Sequence, residues 1–377
     1  MSTPIDDLLR AAAADARVIG LAGGLPSEAQ FPKRELADAF LRVLRRAGTP
    51  ALQYGWAEGS DGLRAFVAAR LRARGADTQA DDVIITSGAQ QAIALALELT
   101  ARAGDAVGVG AETYPAALEL MRARRLVPVP QWRGPRVRYA MPVVHNPRGD
   151  ALADAERAEL LGARGPIIED DAYAELRFDG PPPRPLLAEA PARVLHVGTL
   201  SKTLSPGLRI GWLVVPRRLR DRALRLKQGT DLQASSLGQA IAEAYLLGDA
   251  DVPGVDWDAR LVRLRRFYRR RATFLLRALR AALPDWRFTT PAGGFAVWAE
   301  APPGGPVIEE VSFLRQAIAQ GVAFDPGSTF RPNAAPGPLA VRLCFSAAPA
   351  TAFEAGARRL ARAWRRALAQ ESAVGAQ

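Results

Sequence analysis

Short apolar runs alternate with longer runs of helical periodicity through the middle of the chain. "DDVIITSG" (81–88) predicts a strand and a turn, and "AQQAIALALELTARAG" (89–104) predicts a helix closed by Gly104. Further strands are predicted within "DAVGVGAETY" (105–114), "LVPVP" (126–130), "YAMPVVHNPRG" (139–149), "GPIIEDDAY" (165–173), "ARVLHV" (192–197) and "RIGWLVV" (209–215). This alternation favours an α/β fold with a mostly parallel sheet that helices cover on both faces.

After about residue 263 the pattern changes to that of a smaller α+β domain. A long basic helix precedes a strand–glycine–strand pattern at 286–300, which a helix (307–320), two strand-like stretches (321–330 and 339–346) and a last helix (351–370) follow. We predict an N-terminal arm and small-domain segment over residues 1–40. A large domain over 41–262 and a C-terminal small domain over 263–377 complete the prediction.

Composition narrows the class of protein. The 377 residues are 49% hydrophobic and 24% charged, enough for a large core in an ordinary globular protein. No apolar run reaches the roughly 18 residues that a membrane helix needs, and the N-terminus lacks the pattern of a signal peptide. The single cysteine, Cys344, excludes an internal disulfide and favours a cytoplasmic location, while two histidines and one cysteine make a zinc cluster implausible.

The net charge of +11 raises the question of a nucleic-acid partner. The arginines are spread over helix-like stretches such as 260–280, where they alternate with apolar residues. A solvated helix face accounts for that pattern, and the chain has no room for a separate DNA-reading domain before its first motif. We therefore predict neither a nucleic-acid nor a membrane partner.

A lysine between two predicted strands carries the strongest chemical signal. Lys202 lies in "GTLSKTLSPGLRIGW" (198–212) of a chain that otherwise prefers arginine. An interior lysine is costly unless it is paired, neutral or used covalently. Lysine can supply a neutral amine, which arginine cannot because its proton is effectively fixed.

Other polar motifs follow the predicted strands. Ligands of open α/β sheets bind at the carboxyl ends of the strands, so these motifs are expected to converge. Backbone N–H groups in the turn that opens the helix at 89 favour a phosphate. The motifs are Ser87-Gly88-Ala89-Gln90, Asn146-Pro147-Arg148-Gly149, Asp170 with Tyr173, Lys202 with Arg209, and Arg342 inside the apolar run "AVRLCFS".

The order and spacing of these motifs resemble the fold type I enzymes that depend on pyridoxal 5'-phosphate (PLP), specifically the class I/II aminotransferases. The resemblance extends from "LAGGLPSEAQFP" (21–32) to about residue 365. The 2-aminoadipate and kynurenine aminotransferase group is similar, as is the aminotransferase-like domain of GntR-type regulators, here without the DNA-binding domain. The resemblance implies an aspartate-aminotransferase-like large domain that binds PLP.

The resemblance assigns the catalytic roles to three residues. Lys202 is expected to form an aldimine with PLP and then to move a proton between the substrate Cα and the cofactor. Asp170 is expected to hold the proton on the pyridine nitrogen, with Asp171 as the alternative register. Tyr173 and Asn146 are expected to donate hydrogen bonds to the phenolic oxygen of PLP.

The resemblance also implies the remaining contacts with the cofactor and the substrate. The phosphate is expected to contact Ser201, Arg209, Gly88 and Ala89, with Ser87, Gln90 and Thr199 nearby, and Tyr114 is expected to stack on the pyridine ring. Tyr54 would reach the phosphate of a neighbouring subunit, which implies a homodimer with shared sites; plain core packing stays open for both tyrosines. Arg342 would bind the substrate α-carboxylate, and Gly23 and Gly24 would pass over the substrate.

The resemblance implies an aminotransferase that moves the amino group of an L-amino acid to a 2-oxo acid, with 2-oxoglutarate as the expected acceptor. Two departures leave the substrate class open: Arg148 replaces a threonine of the common motif, and the segment 131–140 is short. One alternative is another PLP reaction on the same scaffold, as in a lyase, decarboxylase or oxidase. A second is a PLP-binding module derived from a regulator, without catalysis.

Overall fold

The computed structural model describes residues 4–46, 49–304, 307–332 and 337–374. Its larger sheet is built from β2 (Val83–Ser87), β3 (Ala106–Gly108), β4 (Val127–Val129), β5 (Val137–Ala140), β6 (Ile167–Asp170), β7 (Val194–Thr199) and β8 (Ile210–Val214). The strand order is β2-β8-β7-β6-β5-β3-β4, and all neighbouring pairs are parallel except the two that include β8. The prediction of a mostly parallel sheet is confirmed.

Helices cover both faces of this sheet, which explains its continuously apolar strands. Ile168 and Leu195 face a core cluster that includes α5 (Ala89–Thr100) and α6 (Pro115–Ala123). Their neighbours Ile167 and Val194 face a second cluster on the other side of the sheet. The other helices between β1 and the end of the large sheet's region of the chain are α2 (Lys33–Arg46), α3 (Thr49–Leu52), α4 (Asp61–Ala73), α7 (Asp154–Gly162), α8 (Leu186–Glu189), α9 (Arg220–Asp231) and α10 (Ser236–Leu246).

A second sheet combines one strand from the N-terminal part of the chain with four strands from its C-terminal part. It contains β1 (Ile19–Leu21), β9 (Arg287–Phe288), β10 (Ala296–Glu300), β11 (Val322–Pro326) and β12 (Ala340–Cys344), in the order β1-β11-β12-β10-β9. The strand β1 pairs in parallel with β11, so the segment after α1 (Pro4–Ala14) is held against the C-terminal region. Helices α12 (Glu310–Ala319) and α13 (Phe353–Val374) pack beside this sheet.

The predicted domain boundaries stay a prediction. Helix α11 is continuous from Trp257 to Ala282, so the boundary between 262 and 263 lies inside it. Residues 1–3 of the predicted N-terminal arm and residues 375–377 of the predicted small domain lie outside the described residues.

Two predicted elements differ from those in the structure. Helix α5 ends at Thr100 rather than at Gly104, because Ala101 is extended and Gly104, with φ of 90°, forms the turn toward β3. Strand β5 begins at Val137 and ends at Ala140, whereas the prediction placed it within 139–149. Pro142 and Pro147 have no N–H to donate, so the ladder does not continue past Ala140.

No helix among the described residues is long and apolar enough to cross a membrane.

Candidate active site

A cavity of about 140 Å³ lies at the carboxyl ends of β5, β6 and β7. Parallel strands bring their carboxyl ends to one edge of a sheet, and the polar motifs of the sequence meet there. The lining residues are Ala89, Gln90, Tyr114, Met141, Asn146, Asp170, Ala172, Tyr173, Thr199, Ser201, Lys202, Pro206 and Arg209. Of the predicted cofactor contacts, Ser87, Gly88 and Tyr54 do not line it.

Lys202 lies in the turn that follows β7, with its amine inside this cavity. Its Nζ is 5.4 Å from the centroid of the Tyr173 ring and 5.9 Å from that of Phe295. Burial lowers the pKa of the Lys202 amine, and the Arg342 charge lowers it further, against the opposing effects of Tyr114 and Asp170. The surroundings therefore favour the neutral amine, which is the form that acts as a nucleophile or a base.

Asp170 is the last residue of β6, and its buried carboxylate faces the cavity. The Tyr139 hydroxyl donates to its Oδ2 at 2.5 Å, and the Ala172 N–H donates to its Oδ1 at 3.2 Å. Burial raises the pKa of Asp170, although these two hydrogen bonds oppose the change.

The neighbouring Asp171 points to the other side of the sheet. It forms an ion pair with Arg74 and lies 3.1 Å from His196 Nε2 through its Oδ2. Burial by itself would raise the pKa of Asp171, but Arg74 and His196 lower it below the ordinary value. Successive residues of an extended chain face opposite sides, which explains why only one of the two carboxylates shares the cavity with Lys202.

Three side chains give the cavity its aromatic and amide walls. Tyr114 precedes α6, and burial raises the pKa of its phenol. Burial likewise raises the pKa of Tyr173, whose ring meets Phe295 edge-on with 5.3 Å between centroids. Asn146 is buried, and its Oδ1 accepts a hydrogen bond from Arg342 at 2.8 Å. Each of the three borders the space in front of Lys202.

One end of the cavity is rich in hydrogen-bond donors. The buried Thr199 and Ser201 hydroxyls lie 2.9 Å apart, and the Thr199 hydroxyl also lies 2.7 Å from the Ile210 carbonyl oxygen. The Arg209 guanidinium is exposed at this end and donates to the Ser87 carbonyl at 3.1 Å. Ala89 and Gln90 open α5 beside them, so free N–H groups of a helix start face the same space. Such a set of donors suits a phosphate.

Gly88 and Ser87 support this end from behind. Gly88 has φ of 81°, and a Cβ at this position would lie 2.5 Å from Arg209 Nη2. The positive φ favours glycine, and a Cβ here would force the Arg209 guanidinium to shift. The Ser87 hydroxyl donates to Asp231 at 2.8 Å, so the structure directs it away from the cavity.

Arg342 lies at the opposite end, on β12. A second, small cavity includes Arg342, Asn146, Tyr173, Gly24 and Phe295 and thus adjoins the first. Burial by itself would lower the pKa of Arg342, but the Asp325 carboxylate raises it above its ordinary value. Gly23 and Gly24 follow β1 with φ of 85° and 60°, and Gly24 lies directly against the Arg342 guanidinium. The predicted substrate contacts therefore meet at one place.

Arg148 does not line either cavity. Its guanidinium donates to Asp150 at 2.9 Å and lies 3.9 Å from Glu112. The sequence left open whether this cation faces a substrate, and in the structure it faces two carboxylates instead.

Tyr54 lies outside the cavity of its own chain. Its side chain is 77% exposed, next to the equally exposed Trp56. The interpretation as a core tyrosine is wrong for the single chain, because a core residue would not leave most of its surface in water.

Sequence reasoning missed several residues of the site, among them Tyr139, Phe295 and Asp325. Tyr139 and Phe295 lie in apolar runs, where nothing distinguishes an aromatic residue near a ligand from one in the core. Asp325 had a signal, since it is an acidic residue within the apolar run "GVAFDPG", just as Arg342 is a basic residue within another.

Comparisons with known proteins agree with this geometry. The family model of aminotransferase class I and II matches residues 16–133 and 140–360. The chain is 34% identical to the 2-aminoadipate transaminase of Thermus thermophilus over 379 aligned positions, which cover 93% of this chain and 91% of the relative. Transcriptional regulators of the HTH type also match most of this chain.

Solved structures of aminotransferases are also similar to this chain over nearly its whole length. The Thermus thermophilus alpha-aminoadipate aminotransferase LysN, complexed with N-(5'-phosphopyridoxyl)-L-leucine, has a TM-score of 0.85 and 32% identity, covering 98% of this chain and 96% of that one. The kynurenine aminotransferase of Pyrococcus horikoshii has a TM-score of 0.86 and 30% identity, covering 97% and 95%.

The described residues fit PLP: a buried carboxylate, a lysine with a lowered pKa, an aromatic wall and a donor-rich end surround one cavity. The chain belongs to the class I and II aminotransferases, and it is an enzyme that transfers amino groups with PLP as its cofactor.

Proposed function

We propose that the enzyme takes the amino group of an L-2-amino acid with a long side chain and passes it to 2-oxoglutarate. The observation that carries this proposal is the position of Arg342, whose guanidinium adjoins the cavity of Lys202 through Asn146. A buried guanidinium beside the reacting amine suits the α-carboxylate of an amino acid. The relatives named for 2-aminoadipate and kynurenine support a long side chain in the donor.

PLP supplies an electron sink for the electrons that the substrate Cα releases. Lys202 would hold the cofactor and then move a proton, since burial lowers the pKa of its amine and so favours the neutral form more than in a free lysine. Asp170, whose carboxylate faces the cavity, would keep a proton on the pyridine nitrogen through its negative charge. Tyr173 and Asn146, which line the cavity, would donate to the phenolic oxygen, and Tyr114 would pack on the ring.

The remaining residues bind the two ends of the ligand. Arg209, Ser201 and the N–H groups of Ala89 and Gln90 would hold the phosphate, with Gly88 leaving room for Arg209. The Thr199 hydroxyl donates to the Ile210 carbonyl and accepts from the Ser201 N–H, so it positions Ser201. Arg342 binds the α-carboxylate, and Gly23 and Gly24 cover it. Fixing both ends places the Cα within reach of the Lys202 amine.

We also propose a homodimer in which Tyr54 reaches the phosphate of the neighbouring subunit. Large apolar side chains exposed on the described chain support a covered surface near Tyr54: Leu52 is 67% exposed and Trp56 is 80% exposed. A mass of one chain in sedimentation would contradict the dimer. The single cysteine, Cys344, supports a reducing compartment, the cytoplasm.

A different PLP reaction was the main alternative, and its strongest hint was Arg148. That hint loses its force because Arg148 pairs with Asp150 outside the cavity. The aminotransferase proposal does not depend on Arg148, which lines neither cavity.

The chain has few lysines, so an experiment can identify which of them binds PLP. Lys33, Lys202 and Lys227 are its lysines. We expect a visible absorption band from bound PLP, and borohydride reduction should fix PLP to the peptide that contains Lys202. Lys202→Ala should lose both, whereas the exposed Lys33→Arg should keep both.

The same band identifies the donor. L-2-aminoadipate, L-kynurenine, L-leucine and L-tyrosine are added one at a time, without an oxo acid. We expect at least one to bleach the band and 2-oxoglutarate to restore it. Release of carbon dioxide or consumption of oxygen in place of this reversible bleaching would refute the transfer reaction, and PLP fixed to Lys227 would refute the lysine assignment.

A further inference from the structure

Three neighbouring strands of the smaller sheet place Asp325 between Arg342 and the Gly23–Gly24 loop, which is proposed to cover the substrate. Gly23 follows β1, Asp325 lies near the end of β11 and Arg342 lies in β12. The strand β1 pairs with β11, and Asp325 is directly opposite Arg342 in the ladder between β11 and β12. Directly opposed side chains on one face of a sheet are close enough to interact.

The Asp325 carboxylate is buried and contacts both neighbours. Its Oδ2 accepts hydrogen bonds from Arg342 Nε at 2.9 Å and from Nη2 at 2.8 Å. The Gly23 N–H lies 3.0 Å from Oδ1 and 3.1 Å from Oδ2. One side chain therefore ties the loop that covers the substrate to the guanidinium that is proposed to bind it.

Asp325 and Asn146 together determine which N–H groups of Arg342 remain free. A guanidinium has five N–H donors in a planar fork. Asp325 accepts from Nε and from Nη2, and Asn146 accepts from Nη1, which commits three of them. One N–H on Nη1 and one on Nη2 remain, and this is the pair that a carboxylate can bind with both oxygens.

Gly24 leaves space beside those two nitrogens. A Cβ at Gly24 would lie 3.4 Å from Nη2 and 3.5 Å from Nη1 of Arg342. Any side chain at this position would crowd the end of the fork that faces a ligand.

We propose that Asp325 is a positioning residue for the amino-acid substrate, because it fixes the Arg342 fork and the Gly23–Gly24 loop in one arrangement. This inference rests on the proposed role of Arg342. Asp325 does not touch the substrate in this arrangement. It compensates the buried guanidinium and leaves only one edge of it for a carboxylate.

A negative charge next to a carboxylate site also has a cost, since Asp325 repels the substrate anion. Removing the charge of Asp325 therefore has two opposing effects on the binding of the substrate carboxylate. If orientation dominates, Asp325→Asn weakens carboxylate binding; if repulsion dominates, the same change strengthens it. The four hydrogen-bond contacts and the burial of both partners favour orientation.

The test uses the PLP-loaded enzyme with Asp325→Asn, Asp325→Glu and, as a matched control, Asp179→Asn. Asp179 is exposed and pairs with the exposed Arg269 at 2.9 Å, so it undergoes the same chemical change away from the site. The donor is the amino acid from the panel above that bleaches the visible band fastest. Its deamino analogue, such as 4-methylpentanoate for L-leucine, serves as a competitive inhibitor that reports carboxylate binding alone.

We expect Asp325→Asn to raise KM and the inhibition constant by about ten- to a hundredfold, with kcat changed by less than about threefold. Asp325→Glu should recover part of the loss, and Asp179→Asn should match the wild type. Unchanged or lower KM and inhibition constant would overturn the proposal. So would a loss of kcat, PLP content and thermal stability with KM unchanged, which indicates a structural role. Failure of the proposed function is distinct, because it would already appear as an unreactive PLP band in the wild type.

Discussion

Replacing Tyr139 with phenylalanine tests whether its hydroxyl keeps Asp170 charged. The hydroxyl donates to Asp170 Oδ2 at 2.5 Å, and both side chains are buried. Tyr139→Phe removes this donor and changes nothing else in shape, so one carboxylate oxygen loses a partner inside the protein. Tyr245→Phe, at a buried tyrosine that does not line the cavity, is the matched control.

The size of the effect follows from the type of bond. A hydrogen bond to a charged group contributes about 1.5–3 kcal/mol, and one pKa unit corresponds to about 1.4 kcal/mol. Burial has already raised the pKa of Asp170, and the Tyr139 bond opposes that rise. Its loss should therefore raise the pKa of Asp170 further.

The sign of the pH dependence is fixed by linkage. A carboxyl group whose pKa is higher in the folded than in the unfolded state destabilises the fold at high pH, and the effect vanishes once both states are protonated. In PLP-free protein, Tyr139→Phe should therefore lose about 1–3 kcal/mol of unfolding free energy near pH 8 and much less near pH 4.

Two measurements check this reasoning. Denaturant unfolding of the PLP-free protein at both pH values gives the stability difference. In the loaded enzyme, the acidic limb of kcat/KM should move to higher pH, because protonated Asp170 cannot hold the pyridine proton. An equal stability loss at both pH values, together with an unmoved limb, would refute the role given to Tyr139.

Two further predictions follow from the same site. Gly88→Ala should weaken PLP binding by about ten- to a hundredfold, because the added Cβ would lie 2.5 Å from Arg209 Nη2 and the backbone has φ of 81°. Spectroscopic titration with PLP measures the affinity, and an unchanged affinity would contradict the phosphate role of Arg209. Arg148→Ala should leave kcat/KM for the amino acid within about twofold, since its partners Asp150 and Glu112 lie outside the cavity; a large selective loss with one donor would show that Arg148 does reach the substrate.

Local sequence predicted much of the larger sheet. Strands buried on both faces are continuous apolar runs, as in "PIIE" before Asp170, and they are visible without any knowledge of their neighbours. Boundaries were less predictable. The end of α5 at Thr100 depends on how the chain turns toward β3, and the start of β5 at Val137 depends on the strands that pair with it.

The sequence by itself determined which chemistry is present. A lone lysine between two strands, the carboxylates after "PIIE" and an arginine inside an apolar strand are properties of residue type and spacing. Each is expensive to bury without a partner or a use, so each is a candidate for a functional role.

Only the tertiary structure decided how these groups are used. Asp170 and Asp171 are adjacent in sequence, and the orientation of β6 directs one to Lys202 and the other to Arg74. Asp325 and Arg342 are 17 residues apart, and the strand register places them opposite each other with Gly23 alongside. Spacing along a chain fixes neighbours within one element, whereas contacts between elements depend on packing and register, which no local pattern encodes.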